Sequence, residues 1–330
     1  MTGDTVSPLS DVYDLIRQQP VVNLPREYNS DGSVRMTKYG RLDRLGEWIA
    51  ACQRRDVPKL EKATLALFAG SHGLAKYGVS VSHDNATQKR VEALRTGDSV
   101  TNGLAARNDT NLRIFELALE VPTKDISNEP AMTEQECAST IAFGMEAVTE
   151  EPDCIALGVL GVGGGTAAAA VACALYGGDA QYWVRAGQGV PEEVNLARAG
   201  VLYRAVQLHR GHMSDPLVAL QRLGGRELAA CVGAIIAARH QGIPVLLDGF
   251  ATAVAAGVVH AIDPRGIDHV IAGQQTDRPA HKAILERLDL EPLIDLQLQQ
   301  GEGIGGLLAI PLLKAACVIS ANNQARKTEG

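Results

Sequence analysis

A glutamate between two glycines is the residue of this sequence best placed for proton-transfer chemistry. Glu302 lies between Gly301 and Gly303 in "QQGEGIGGLLAIPLL", just before a long apolar segment. The small neighbours leave the carboxylate open to a ligand, and a positioned carboxylate can remove a proton as a general base. A glutamate in the first turn of a helix, where the helix dipole favours negative charge, would show the same pattern. Glu302 is therefore the candidate catalytic base, with the helix-turn alternative open.

A cluster of glycines indicates a second part of a site. The stretch "GVLGVGGGT" (158–166) follows an apolar segment and leads into four alanines. Glycines at a strand end let backbone N–H groups approach a phosphate, and Thr166 would add a hydroxyl where a helix begins. The stretch is not a P-loop, because no Lys-Ser or Lys-Thr pair follows it. Tight packing between strand and helix is the alternative explanation. The candidate binding residues here are Val159, Gly161, Gly163, Gly164 and Thr166.

Further polar candidates also follow apolar segments. Ser71 and His72 occur in "FAGSHG", where the histidine could contact a ligand, act as a base or satisfy a loop carbonyl. No cysteine or second histidine lies at metal-ligand spacing from His72, so we expect no metal site. The other candidates of this kind are Asp248 in "LLDGF" and Thr276, Arg278 and His281 in "TDRPAH". Arg278 is the local cationic candidate for binding an anion, whereas Asp248 is either a cap or a ligand contact.

Five short apolar segments alternate with alanine- and leucine-rich segments along the chain. They are residues 63–70, 112–120, 154–165, 243–247 and 268–273. This alternation predicts an α/β fold in which helices flank a parallel sheet. Ligands bind such sheets beyond the carboxyl ends of the strands. We therefore expect "FAGSHG", "GVGGGT", "LLDGF" and "IAGQQT" to converge on one cleft.

The composition limits the class of protein. The 330 residues carry a net charge of −7 with a pI near 5.7, which argues against nucleic acid as a partner. The six cysteines are widely spaced without a CxxC pair, as expected for buried thiols in a reducing compartment. The N-terminus has no signal-peptide pattern, and we expect no segment to meet the ~20 apolar residues that a membrane span needs. These observations predict a soluble, cytoplasmic protein with a disordered tail at 320–330.

Seven segments, in this order and spacing, resemble the nicotinate-nucleotide–dimethylbenzimidazole phosphoribosyltransferase family, and its alphaproteobacterial branch in particular. The resemblance extends from about residue 36 to residue 318. The segments are "FAGSHGLAKYGVS", "FELALEVPTKDI", "ASTIAFGMEAV", "AAAAVACALYGG", "HMSDPLVALQRLGGRELAACVGAIIAAR", "IPVLLDGFATAVAA" and "PLIDLQLQQGEGIGGLLAIPLLKAA".

The resemblance implies both a fold and a homodimeric assembly. The fold is a Rossmann-like parallel sheet flanked by helices, with a large nucleotide-binding α/β domain at residues 61–290. A small helical domain, formed by residues 1–60 and 291–330, carries the glutamate of the "GEG" motif.

The resemblance also implies a reaction. Members transfer phosphoribose from nicotinate mononucleotide to 5,6-dimethylbenzimidazole or a related base, giving α-ribazole 5′-phosphate and nicotinate for the lower ligand of cobalamin. The family's base corresponds to Glu302, and no metal or cofactor is required. Ser80 and Gln88 would join Val159 around the pocket for the incoming base.

The sequence departs from the family pattern within the expected pocket. Where the family reads "GEMGIGNTT", this chain has Val159 for the glutamate, Gly164 for the asparagine and Gly165 for a threonine. The family's phosphate-site lysine is Ala199, and the glutamate of its "SAEPGH" motif is Arg278. Two alternatives to a working enzyme follow. One is a paralogue that binds a nucleotide or azole without efficient catalysis, and the other is a subunit of a heteromeric phosphoribosyltransferase.

Overall fold

The computed structural model describes residues 7–24, 37–83, 85–185 and 187–328 of the chain. Five parallel strands form one sheet in the order β2-β1-β3-β4-β5. They are β1 (Ala63–Ala69), β2 (Thr110–Glu116), β3 (Cys154–Leu160), β4 (Val245–Leu247) and β5 (Val270–Ala272). Each strand lies within or overlaps one of the five predicted apolar segments, so the α/β prediction with a parallel sheet is confirmed.

Helices fill the connections between the strands, as parallel pairing requires, and further helices precede β1 and follow β5. In chain order they are α1 (Ser10–Arg17), α2 (Arg41–Gln53), α3 (Ala86–Thr96), α4 (Val100–Arg107), α5 (Glu134–Gly144), α6 (Gly164–Tyr176), α7 (Ala180–Val184), α8 (Glu192–His209), α9 (Pro216–Leu223), α10 (Arg226–Gln241), α11 (Phe250–Ile262), α12 (Pro279–Arg287) and α13 (Ile304–Thr328).

Alternate residues of each strand belong to different cores, because successive side chains point to opposite faces of a sheet. On one face, Phe68 of β1 and Leu157 of β3 pack with α5, α6, α9, α10 and α11. On the other face, Leu65 and Ala156 pack with α2 and α13, while Leu67 packs with α3. Both faces of the sheet are therefore covered, which explains why the central strands read as continuous apolar runs.

The ends of the chain pack on opposite sides of this sheet. Helix α1 contacts α11 on the first face, whereas α2 and α13 pack against each other and contact the second. The proposed division into residues 61–290 and a helical unit of 1–60 with 291–330 remains a prediction. Residues 1–6, 25–36, 329 and 330 of the smaller unit lie outside the described part of the chain.

Two expectations about the last helix are wrong. The tail predicted to be disordered continues α13 as far as Thr328, and only its final two residues lie outside the described chain. Residues Ile304–Ala325 are also long and apolar enough to cross a membrane by length and composition alone, with a mean hydropathy of 2.0. Leu307, Ile310 and Leu313 of this helix are fully buried against the sheet, as in the core helix of a water-soluble domain.

Candidate active site

One cleft opens at the carboxyl ends of β3, β4 and β5, with a volume of about 410 Å³. Its wall combines the end of β3 and the first turn of α6 with residues 248–252, 276–278 and 299–302. Three of the four strand ends predicted to converge therefore do so. The fourth, "FAGSHG", lies behind the turn after β3: a Cβ atom built on Gly161 would be 2.7 Å from the carbonyl oxygen of Gly70.

Glu302 lines this cleft two residues before α13 begins, so it is not a first-turn residue of that helix. Its backbone is left-handed, with φ of +64°, a conformation that stores about 1–3 kcal/mol in a residue other than glycine. Oε1 accepts a hydrogen bond from Gln300 Nε2 at 2.7 Å and lies 3.4 Å from Arg90 Nη1. Within the described residues Oε2 accepts no hydrogen bond, so one carboxylate oxygen is left for a ligand.

The loop that carries Glu302 packs directly on the sheet because its neighbours are glycines. A Cβ atom on Gly303 would be 2.4 Å from Leu65 Cδ1, and one on Gly158 of β3 would be 2.7 Å from the nitrogen of Gly303. Gly303 also has a positive φ, +80°. The flanking glycines therefore set the position of the loop rather than merely exposing the carboxylate.

Asp248, at the end of β4, binds the same loop. Its Oδ2 accepts from the N–H of Gly303 at 2.9 Å, and its Oδ1 accepts from the N–H of Gly305 at 2.7 Å. Gln274, after β5, donates to Oδ1 at 2.9 Å. Burial raises the pKa of Asp248 to about 6, although the hydrogen bonds to its carboxylate oppose that rise. Asp248 lines the cleft, but its carboxylate is bound to protein groups rather than free for a substrate.

The glycine turn after β3 begins α6 at the edge of the cleft. Gly161, Gly164 and Gly165 line the cleft, while Gly163 has a φ of +97° and caps the helix from behind. Within the described residues the N–H groups of Gly164 and Thr166 donate to the carbonyls of Gly161 and Gly163, so the N–H of Gly165 is the first-turn donor left for an anion, which the helix dipole favours there. Thr166 is buried with its hydroxyl unpaired in the described structure, so it lies beneath the turn rather than in the cleft wall.

His72 supports the turn from below instead of contacting the cleft. Its Nε2 lies 3.0 Å from Oε1 of Glu227, and both side chains are almost fully buried. A Cβ on Gly164 would lie 3.1 Å from that same oxygen, so the pair packs against the turn itself. Although burial opposes it, the contact with His72 holds the pKa of Glu227 below its usual range. The partner of His72 is thus a buried carboxylate and not a loop carbonyl, and His72 is absent from the cleft wall, where a ligand contact or a base was expected.

Arg278 reaches the cleft beside the first turn of α6. Its Nη2 donates to the carbonyl of Gly165 at 3.3 Å and to that of Trp183 at 2.8 Å, and the guanidinium stacks 3.9 Å from the ring centre of Phe250. Burial and the nearby Arg198 together lower the pKa of Arg278 to about 9. Nε is buried without a partner in the described structure.

Arg198, on α8, brings a second guanidinium to the cleft wall. Its Nε donates to the carbonyl of Val79 at 2.7 Å, and burial lowers its pKa. Within the described residues neither Arg198 nor Arg278 forms an ion pair, because the carboxylates of the cleft are bound elsewhere. Glu227 binds His72, Asp248 binds the Glu302 loop, Glu302 lies by Arg90, and Asp277 accepts from Gln188 and Gln299. Two neighbouring cations without a counter-charge favour an anionic ligand.

Two of the departures from the family pattern, Gly165 and Ala199, can be explained from the position of Arg278. A Cβ on Gly165 would lie 3.3 Å from Nη1 of Arg278, so the glycine leaves room for the guanidinium where the related motif has a threonine. Ala199, at the position of the family's lysine, lines the neighbouring groove and not the cleft. The loop after β5 therefore brings a positive charge to the cleft through Arg278, whereas position 199 lies outside the cleft wall.

The remaining predicted residues lie mostly outside the cleft. Ser71 donates to the carbonyl of Leu119 at 2.9 Å, Ser80 accepts from the N–H of Ser82, and Gln88 is exposed on α3. Thr276 lines the cleft, and its hydroxyl lies 3.0 Å from Nδ1 of the buried His281, whose pKa burial lowers to about 3. Of the predicted residues, those in the cleft wall are Val159, Gly161, Gly164, Asp248, Thr276, Arg278, Gly301 and Glu302.

Sequence reasoning missed several residues of the site. Arg198 directly precedes Ala199, but only the helical position shows which of the two faces the cleft. Arg90 lies two residues after the predicted Gln88, which points away from the cleft on the same helix. The other missed residues are Glu227, Gln274, Phe250 and Asp277. A glycine pair before Glu227, in "LGGRELAA", was the one local signal of a close backbone approach.

The six cysteines are buried and form no disulfide. Burial raises the pKa of their thiols, Cys317 to about 11 and Cys137 to about 12, so they are poor nucleophiles. In the described ranges of the chain, no group of three or more His, Cys, Asp or Glu side chains could hold a metal ion.

Comparison with known proteins agrees with this geometry. A family model described as phosphoribosyltransferase matches residues 31–329. The chain is 40% identical over 316 residues to the nicotinate-nucleotide–dimethylbenzimidazole phosphoribosyltransferase of Brucella anthropi, covering 94% of this chain and 93% of the relative. With the enzyme of the same name from Allorhizobium ampelinum it shares 43% identity over 277 residues, covering 84% and 81%.

Solved structures show the same relationship. The crystal structure of CobT from Thermus thermophilus superposes with a TM-score of 0.80 at 30% identity, covering 94% of this chain and 96% of the other. A second structure from that organism, of its nicotinate-nucleotide–dimethylbenzimidazole phosphoribosyltransferase, superposes with a TM-score of 0.78 and the same coverage. The chain therefore belongs to the nicotinate-nucleotide–dimethylbenzimidazole phosphoribosyltransferase family.

Proposed function

We propose that this protein transfers the phosphoribosyl group of nicotinate mononucleotide to 5,6-dimethylbenzimidazole, or a related base, and releases α-ribazole 5′-phosphate and nicotinate. One observation carries the proposal: a single cleft holds a carboxylate with a free oxygen, Glu302, and a cation pair, Arg198 and Arg278, at the start of a helix. The carboxylate can accept a proton, and the two guanidinium groups can bind a phosphate.

The donor phosphate binds between the first turn of α6 and the arginine pair. A phosphate monoester carries nearly two negative charges near neutral pH, which match the two guanidinium charges. The N–H of Gly165, in the first turn of α6, approaches the oxygens from the other side. Val159, where the related motif has a glutamate, removes a negative charge from the same wall and so lowers the repulsion that the donor meets.

The acceptor base lies at the Glu302 end of the cleft. One ring nitrogen of the azole forms a bond to the anomeric carbon of the ribose as the bond to nicotinate breaks, and the bonding electron pair leaves with nicotinate. Glu302 takes the proton from the other ring nitrogen, so that no charge builds up on the new product. Holding donor and acceptor in line supplies much of the acceleration.

An active enzyme is favoured over a paralogue that only binds ligand. The general base is retained, the loop that carries it is anchored by Asp248, and the charge lost at Ala199 is replaced by Arg278. The substitutions therefore change the residues of the pocket but leave it with a general base and a positive charge.

A cytoplasmic homodimer is part of the proposal and rests on the family resemblance. The outer side of α13 supports the dimer, because Pro311, Ala315 and Val318 are exposed there, with Val318 62% exposed. Light scattering on a sizing column measures the assembly directly, and a monomer at micromolar concentration contradicts it.

The activity is tested with purified protein, nicotinate mononucleotide and 5,6-dimethylbenzimidazole, with both products measured by liquid chromatography. We expect turnover by the wild type and a loss of about 10²–10⁴-fold in Glu302→Gln, which keeps the shape but cannot accept the proton. Absence of product with the wild type across a panel of benzimidazoles, purines and phenols would refute the proposed function.

A further inference from the structure

We propose that Asp248 is a positioning residue for Glu302: its carboxylate holds the loop of Glu302 in the one backbone conformation that directs the base into the cleft. The inference rests on the proposed function for the role of Glu302, but its structural part can be tested without turnover.

The contacts of Asp248 surround Glu302 in sequence. Gly303 and Gly305 donate their N–H groups to the two carboxylate oxygens, at 2.9 and 2.7 Å. On the other side, a Cβ built on Gly301 would lie 3.5 Å from Oδ2. Asp248 therefore binds the chain immediately after the base and lies close to the residue before it, and its hydrogen bonds in the described structure do not include the base itself.

The hydrogen bonds between Asp248 and this loop have two effects. The N–H groups of Gly303 and Gly305 belong to the start of α13, where a helix leaves its first donors unpaired. Asp248, from a different element, satisfies two of them and places a negative charge at the positive end of the helix. The beginning of α13 is thereby fixed to the end of β4, and Glu302 is fixed with it.

The loop needs such an anchor because its conformation is not the preferred one. Glu302 has a φ of +64° and Gly303 one of +80°. A non-glycine residue in this region relaxes unless its surroundings hold it. Gln274 completes the anchor by donating to Oδ1 at 2.9 Å, and its side chain fills the space beside Gly305 that a Cβ would occupy.

The test is a double-mutant cycle between Asp248→Asn and Glu302→Gln, with kcat and KM measured for both substrates. Asn presents one N–H₂ group where Asp presents an acceptor, so it cannot receive both backbone donors. Because a displacement of about 1 Å can cost ~10²-fold in rate, we expect kcat of Asp248→Asn to fall by about that factor. The KM for nicotinate mononucleotide is expected to change less than about threefold.

The cycle separates positioning from other roles. If Asp248 acts through Glu302, Asp248→Asn costs little once Glu302 is already Gln, because the two effects are not additive. An equal loss of rate in both backgrounds would overturn the inference, and so would a raised KM with unchanged kcat, which is expected of a substrate contact.

Asp153→Asn is the matched control. Asp153 also accepts two backbone N–H groups, from Glu61 and Lys62, both at 2.9 Å, but at the amino end of the sheet. We expect this variant to keep the kcat of the wild type. Should Asp248→Asn fold poorly by circular dichroism, Gln274→Ala removes one anchor bond and is expected to show a smaller loss that likewise disappears with Glu302→Gln.

Hydrogen exchange tests the anchoring role of Asp248 without a measurement of the reaction. In Asp248→Asn the amides of Gly303 and Gly305 are expected to exchange at least tenfold faster, while those of α13 beyond Leu307 stay protected. Unchanged exchange at both glycines overturns the inference. A wild type without turnover but with these exchange changes would instead refute the proposed function and leave the anchor in place.

Discussion

Arg278 provides the sharpest test of how this cleft binds its donor. The guanidinium stands at the start of α6, and its charge has no carboxylate partner among the described residues. Replacing it with glutamine removes a charged hydrogen bond to the phosphate, worth about 1.5–3 kcal/mol. Since about 1.4 kcal/mol is a factor of ten in affinity, the Kd for nicotinate mononucleotide should rise roughly 10- to 150-fold.

The structure places the effect in the lower half of that range. Arg198 remains in the variant, and its charge is no longer opposed by that of Arg278, whose pKa it lowers in the wild type. One cation freed from this repulsion binds the phosphate better than it did as one of a pair. We therefore expect a loss of about 10- to 40-fold, with no more than a twofold change in the Kd for 5,6-dimethylbenzimidazole.

Calorimetric titration with two donors distinguishes charge from shape. Nicotinate riboside lacks the phosphate, so its affinity is expected to be nearly the same for the wild type and Arg278→Gln. Arg287→Gln is the control: this arginine stacks near Tyr176 and Trp183 and donates to the carbonyl of Ala283, outside the cleft. Equal losses for both donors, or no loss for the mononucleotide, would refute phosphate binding at Arg278.

Two further predictions concern stability. Because burial raises the pKa of Asp248 from 3.8 to about 6, the folded chain binds this proton more tightly than the unfolded chain; the stability gained by the protonation is complete below pH 3.8 and is lost as the pH rises through 6. Lowering the pH from 7.5 to 5 should therefore stabilise the wild type relative to Asp248→Asn by about 1 kcal/mol, measured by urea unfolding; a constant difference contradicts this. Glu227→Ala leaves His72 buried without its partner and should cost about 3–5 kcal/mol, whereas Glu227→Ala combined with His72→Leu should cost less. A cost of the double variant equal to the sum of the costs of Glu227→Ala and His72→Leu would show that the pair is not coupled.

The strands and the glycine turns could be predicted from the sequence because their signals are local. Apolar runs of strand length, ended by glycine and followed by alanine-rich segments, specify β3 with α6 and β4 with α11 wherever the rest of the chain lies. The same pattern placed Glu302 in a glycine-flanked loop before a long helix. The tail was wrongly predicted to be disordered because its residues are mostly polar. They continue helix α13, where Asn323 donates to Asp43 of α2 at 2.8 Å.

The composition of the cleft was decided by the tertiary structure, since its contacts join residues far apart in the chain. His72 and Glu227 are separated by 155 positions, and Asp248 and Gly303 by 55. From the sequence alone, Asp248 and His72 were candidate substrate contacts. In the fold, Asp248 binds the Glu302 loop and His72 lies beneath the glycine turn. Only the orientation of α8 about its axis shows that the side chain of Arg198 faces the cleft.

By itself, then, the sequence determined the α/β class, the order of its strands along the chain, the turn at the start of α6 and the identity of the candidate base. Those features depend on propensities and periodicities that are local in the chain. Only the tertiary structure decided which charges are compensated and which are left for a ligand, because compensation depends on distances of about 3–4 Å between side chains from different elements.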